Sequence, residues 1–286
     1  MNAIFRATLL LLFLLQDDAH LRSALTTSTT SKTTSDFESM KKEIQDSLNK
    51  GKLMNWEGSF VSGVGIHGRN EYIISKERGY VYSSKGRDMG RVIEEGDSIV
   101  LVSELTPKKS VRFFVVQWSE RIYLVESSLI LHFCNAYNAG KLDTYTHLGM
   151  LFYVKNNNNA LGHLKGIPKV PNNYRKYILQ KPINARIISL LGKIDETMIL
   201  GVNSQVSGYL ISIDAGKTRG ICCGMKMYLH KREDFLRCEG YIVAVGSEVS
   251  YVLLVNIEQN EWMSVQIGNT ISTANSLYVA PEDFKD

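Results

Sequence analysis

The sequence predicts a mainly β protein with two small barrel- or sandwich-like domains, joined by a Pro- and Asn-rich basic connector, and one helix closing the first domain. Three observations predict it. Short runs of β-branched and aromatic residues recur at roughly ten-residue spacing, separated by Gly, Asn, Asp and Lys, as in small all-β domains. No long helical periodicity appears between Met54 and Glu126, whereas the stretch after it repeats apolar residues at three- and four-residue spacing. Between the two β-rich regions lie four consecutive Asn, then Pro168, Pro171 and Pro182, which oppose regular structure. A length of 286 residues suits two domains, and a net charge of +4 is too small to imply a polyanionic partner by itself.

Residues 1–22 have the pattern of an export signal. Arg6 precedes the uninterrupted apolar run Ala7–Leu15, which Asp17, Asp18 and His20 end. The run is shorter than the ~20 residues of a membrane span, so no stable transmembrane segment is expected in the mature chain. A small-x-small cleavage pair is missing, and no Cys follows the run to carry a lipid anchor. The expected location is the periplasm, envelope or extracellular space.

Residues 23–53 begin with a Ser/Thr-rich tether that has little apolar surface to bury, followed by a short amphipathic helix over Phe37–Leu48. The first β domain covers 54–152, with strands expected at 58–61, 71–75, 79–83, 91–93, 98–102, 111–117 and 122–125. The last two form a hairpin about the polar break Trp118–Arg121. Ser127 or Ser128 then offers a hydroxyl cap to a helix over 127–139. Leu129, Ile130, Phe133, Cys134 and Tyr137 make its apolar stripe, and Gly140 stands where a left-handed C-terminal residue is wanted.

The connector spans 153–183. From Thr144 to Ile194 there is no acidic residue. The second β domain covers 184–273, with strands expected at 185–191, 198–202, 208–213, 226–230, 240–245, 251–257 and 270–272. The glycines of Gly216–Met225 (GKTRGICCGM) suit tight turns between barrel strands. Residues 274–286 form a polar tail.

Trp56-x-Gly58, Gly79-Tyr80-Val81-Tyr82, Gln117-Trp118-x-x-Arg121-x-Tyr123-Leu124 and Phe133-Cys134-Asn135-Ala136 together resemble a pattern in uncharacterised bacterial exported proteins. In those proteins a small β domain precedes a Pro-containing connector and a Gly-rich β module. The resemblance covers most of residues 54–273. It implies architecture and carries no catalytic residue.

No local motif supplies chemistry. Gly63-Val64-Gly65-Ile66-His67-Gly68 matches G-x-G-x-x-G, but a strand rather than a helix is expected after it, so it reads as a hairpin loop and not a dinucleotide site. Cys222, Cys223, His230 and Cys238 lack the C-x₂₋₄-C spacing that lets thiolates converge on zinc. Cys134 reads as a buried thiol, while Cys222 or Cys223 can pair with Cys238 if the compartment is oxidising. No G-x-S-x-G elbow or H-E-x-x-H helix is present. No catalytic, cofactor or metal residue is therefore assigned and no cofactor is expected.

The candidate interaction residues are Lys165, Lys169, Arg175 and Lys176 of the connector, interleaved with Tyr174 and Tyr177. Cations among aromatics suit single-stranded nucleic acid, which an exported chain is not expected to meet, or an anionic envelope polymer; an envelope protein is the other expected partner. The function expected is non-enzymatic binding at the envelope or outside the cell. The alternative is an envelope hydrolase with its site between the domains, for which His132, His147, His163 and Glu126 are the residues to watch.

Overall fold

The computed structural model describes residues 34–51, 54–62, 70–84, 86–106, 108–142, 152–156, 166–202, 204–229, 238–255, 257 and 262–275. Helix α1 (34–50) precedes seven strands: β1 (Gly58–Ser62), β2 (Asn70–Ser75), β3 (Gly79–Ser83), β4 (Arg87–Glu95), β5 (Ser98–Ser103), β6 (Ser110–Trp118) and β7 (Arg121–Glu126). A 3₁₀ turn (Ser127–Leu129) leads into α2 (Ile130–Asn138). The chain then returns as β8 (Phe152–Lys155), which pairs with β7 and with β1 and closes an eight-stranded barrel in sequence order.

That eighth strand corrects the expected boundary. The connector was expected from 153, and its first residues instead complete the first barrel; Phe152-Tyr153-Val154-Lys155 is too short to stand out beside the Asn run that follows it. The helix cap also differs. Ser128 Oγ donates to the Glu126 carboxylate at 2.7 Å, and no side chain caps α2. Gly140 does adopt the left-handed conformation, at φ 69°.

The second unit is a six-stranded closed barrel. Its strands are β9 (Asn184–Met198), β10 (Gln205–Ile213), β11 (Lys226–Leu229), β12 (Glu239–Val245), β13 (Ser250–Val255) and β14 (Thr270–Ser272), paired in the order β10-β13-β12-β11-β14-β9 with β9 returning to β10. The separate strand expected over 198–202 is the last residue of β9 and the turn after it. The protein is thus mainly β, with two barrels and few helices.

Each apolar period in the sequence finds its own surface. Phe37 and Ile44 of α1, with Met40 and Leu48, cover Ile73, Val81 and Met89 on the outside of the first barrel. Trp56, Phe60, Ile74, Tyr80, Ile99, Leu101, Phe113 and Leu124 fill that barrel. Ile187, Ile211, Met227, Ile242, Val252, Leu254 and Ile271 are buried in the second.

Helix α2 lies between the barrels. Phe133 packs edge-on against Tyr123 and Phe152 of the first barrel, with ring centroids 5.4 and 5.2 Å apart. On another face, Asn135 Nδ2 donates to the Gly224 carbonyl at 2.9 Å, and its Oδ1 accepts from the Lys226 amide at 3.0 Å. One turn on, Asn138 does the same for the connector, donating to Tyr177 O at 2.8 Å and accepting from Leu179 N at 3.0 Å. Each asparagine presents one donor and one acceptor, the complement of an extended backbone segment. Gly224, at φ 85°, lets the second barrel come this close: a Cβ there would lie 2.8 Å from Leu131 Cδ2.

Candidate binding site at the tyrosine-lined end of the first barrel

Alternation along a strand turns every second side chain into the barrel. The up-and-down order brings the ends of odd-numbered strands and the starts of even-numbered strands to one end. Six polar or aromatic residues collect there: Ser62 at the end of β1, Tyr72 near the start of β2, Tyr82 near the end of β3, Asp88 at the start of β4, Glu126 at the end of β7 and Tyr153 at the start of β8. Register confirms their facing. Tyr82 pairs with Asp88, Phe60 with Tyr72, Leu124 with Tyr153, and Phe113 with Glu126, where Phe60, Leu124 and Phe113 are core residues of the barrel.

The two ends are built differently. At the opposite end Trp56 is buried, and Lys155 Nζ donates to the carbonyls of Met54 and Asn55 at 3.4 and 3.2 Å. Glu57 ties the same segment down by accepting from the amides of Met54 and Lys76 at 3.0 and 2.8 Å. At the first end, Tyr72, Tyr82 and Tyr153 point inward yet remain half-buried. Tyr72 stacks on Tyr82 with centroids 4.5 Å apart and meets Tyr153 edge-on at 4.9 Å, above Phe113 at 5.4 Å.

Polar groups line this aromatic end. Asp88 is fully engaged, accepting from Tyr80 Oη at 2.9 Å, Ser103 Oγ at 2.6 Å and the Met89 amide at 2.9 Å. Burial, reinforced by neighbouring phenols and by Glu126, pushes the Tyr72 and Tyr153 phenols far above their ordinary range, so both stay neutral donors. Ser62 is 2% exposed and its Oγ has no hydrogen-bond partner among the described residues. A buried hydroxyl left in that state costs about 1–3 kcal/mol. Among the described residues, this end of the barrel therefore carries tyrosine rings, neutral phenol donors, the Glu126 carboxylate and one buried hydroxyl without a partner, the kinds of group a small polar ligand uses.

The residues singled out from sequence fall elsewhere. Lys169, Arg175 and Lys176 are exposed, the last two on a 3₁₀ turn (Asn172–Tyr177), while Lys165, His147, His163 and the 63–68 glycine loop lie outside the described residues. Tyr177 is buried, and Tyr174 packs against Phe114 at 5.9 Å, so packing already engages the aromatics that were to stack with bases. The Lys169 amide donates to Gln117 O at 2.7 Å, laying the connector along β6. All four cysteines are free thiols, with Cys134 and Cys238 buried.

His132 sits at the inter-barrel junction beside a buried ion cluster. Lys226, whose side chain is 6% exposed, pairs with Glu239, and Lys141 reaches Glu239 at 3.6 Å; Lys226 Nζ lies 5.6 and 5.5 Å from the Tyr228 and Tyr241 rings. Burial, with Lys226 nearby, pushes the His132 imidazole down to about 4, so it is neutral at pH 7. The space where an inter-domain hydrolase site was the alternative expectation holds α2 and its apolar neighbours. Of the two residues to watch that are described, His132 and Glu126, it is Glu126 that faces the barrel end.

Tyr72, Tyr82, Tyr153 and Ser62 were missed as a set. Their signal is weak in sequence: four residues on β1, β2, β3 and β8, brought together only by barrel closure. No helix among the described residues is long and apolar enough to cross a membrane. Comparison with family models, curated proteins and solved structures returned no match.

Proposed function

We propose that this is an exported, non-enzymatic binding protein whose first barrel holds a small ligand at its tyrosine-lined end. An eight-stranded barrel has an interior just wide enough to be filled by side chains or to hold one small ligand. The observation that carries the reading is that three inward-facing tyrosines stay part-exposed at the end that holds the buried, unpartnered Ser62 hydroxyl, whereas at the other end Lys155 holds the Met54 and Asn55 carbonyls beside the buried Trp56. Export is supported by the Arg6 and Ala7–Leu15 pattern. In this reading the second barrel and α2 support the outer face of the first barrel at β7 and β8, where Phe133 meets Tyr123 and Phe152. Native mass spectrometry of the chain isolated from its own cells tests the binding claim: a discrete non-covalent mass increment, lost in Tyr72→Leu, is expected. An unmodified mass under conditions that retain weak complexes refutes it, and an intact Met1 in a soluble intracellular fraction refutes export.

A further inference from the structure

We propose that the connector and one end of the second barrel form a docking face for a flexible anionic polymer, held through its repeated phosphodiester charges and not through bases. Six exposed cations make the face: Arg175, Lys176 and Lys181 of the connector, Arg186 of β9, and Lys217 and Arg219 of the 3₁₀ turn after β10. The fold joins them. Cys222 Sγ donates to the Lys176 carbonyl at 3.8 Å. Burial raises the Cys222 thiol pKa, and Lys176 and Lys217 both oppose that rise, which puts the two ammonium groups near one thiol. Arg219 reaches onward, its Nη2 donating to Asn184 O at 2.7 Å and its Nη1 to Asp214 O at 3.4 Å, and the Asp214 carboxylate accepts from the Arg186 amide at 2.6 Å. The face is built without any residue of the tyrosine-lined end.

Among the described residues none of the six cations is in an ion pair, whereas Lys76, Arg78, Arg87 and Arg112 of the first barrel each hold a glutamate. From Thr144 to Ile194 the sequence has no acidic residue, so the undescribed parts of the connector bring no carboxylate. The β12–β13 turn lies at this end, where Lys217 N donates to Gly246 O at 2.9 Å and Thr218 N to Ser247 O at 3.1 Å. The acid-bearing segments 230–237 and 258–261 adjoin the start of β12 and the end of β13, at the opposite end of the barrel. Asp214 and Glu248 are the carboxylates that hydrogen bonds place here, the second accepting from Thr218 Oγ1 at 3.1 Å, and the balance stays positive. Recognition of bases needs an open aromatic face. Tyr177 is buried and Tyr174 packs against Phe114, so this face offers charge without a stacking platform.

The test uses the full chain and two fluorescent oligomers of about 20 phosphodiester units, an abasic deoxyribose phosphate and an oligothymidylate, followed by anisotropy across salt concentration. Roughly five contacts to a flexible polyanion give a log–log salt slope near −3.5, so affinity should fall about 100-fold from about 50 to about 200 mM salt. The two oligomers are expected to bind within about twofold of each other, since each stacked base would add about tenfold. Lys176→Glu with Lys217→Glu should weaken both at least about tenfold and flatten the slope by about 1.4. Lys108→Glu with Lys109→Glu, the same charge change on the exposed β5–β6 loop of the first barrel, should cost less than about threefold because salt screens distant charges. An equal loss from both pairs means that net charge alone is felt, and it overturns the inference. Oligothymidylate bound about tenfold or more tightly than the abasic chain makes the ligand a nucleic acid and overturns it too. Binding that emerges only with Glu282→Gln, Asp283→Asn and Asp286→Asn shows that the chain's own acidic residues occupy the face, and absence of binding in every variant shows that no polymer does; either result refutes the proposal.

Discussion

Replacing Asn135 with Ala tests the contact between helix and second barrel. In the native chain the Asn135 amide satisfies the Gly224 carbonyl and the Lys226 amide, at 2.9 and 3.0 Å, both in buried surroundings. Alanine keeps the helix, since it is the best helix former, so local propensity contributes nothing to the loss. What remains is one buried carbonyl and one buried N–H without partners. A buried group left unsatisfied costs about 1–3 kcal/mol, so the pair is worth roughly 2–4 kcal/mol once some relaxation toward water is allowed. For a chain of this size that lowers Tm by roughly 5–15 °C. Differential scanning calorimetry measures it, and Asn135→Asp gives an internal control: it retains the acceptor for Lys226 N but loses the donor, and it adds a buried charge. The expected order of stability is wild type, then Ala, then Asp at pH 7. An Asn135→Ala Tm within 1–2 °C of wild type, roughly the shift expected from half a kcal/mol, would show that the barrels are held by the apolar surface of α2 alone and that the amide bridge is incidental.

Two further outcomes follow from the junction. Glu239→Ala leaves Lys226 buried at 6% exposure without its carboxylate, so it should cost about 3–5 kcal/mol by chemical denaturation, well above the cost of removing an exposed pair such as Lys193–Asp195. His132 has a folded pKa near 4 against 6.5 unfolded, so the unfolded chain binds more protons between those values. Its contribution is complete above about pH 6.5 and is lost as pH falls toward 4, up to about 3 kcal/mol in all. His132→Phe should flatten Tm against pH in that window, and an unchanged slope would show that other groups set the acid limb.

Much of the fold was legible because its elements have local signatures. The Val111–Val125 hairpin, the α2 stripe and the α1 helix each carry an apolar period that points to one surface, and each packs as that period requires. Strand β8 was not legible. Its Phe152 packs outward on α2 while Tyr153 faces into the barrel, so four residues serve two surfaces and show no one-sided pattern. The roles of Asn135 and Asn138 were hidden for another reason. A polar residue beside an apolar stripe looks like a solvent-facing position, and the partner backbone carbonyls lie 89 and 39 residues away in sequence. The barrel-end cluster shares that difficulty, because the register of β1, β2, β3 and β8 assembles it. Basic residues of the connector are conspicuous in sequence for their lack of acidic neighbours, a compositional signal that carries no geometry.

The most direct test of the tyrosine-lined barrel end as a ligand site is a set of crystals soaked with small molecules spanning cationic, neutral and anionic character. The account predicts ordered density inside the first barrel, bounded by Tyr72, Tyr82 and Tyr153, with a polar atom of the ligand within hydrogen-bonding distance of Ser62 Oγ. Tyrosine rings collapsed over an empty, dry barrel end, with Ser62 bonded to the protein itself and no ligand density from any of the molecules, would contradict it.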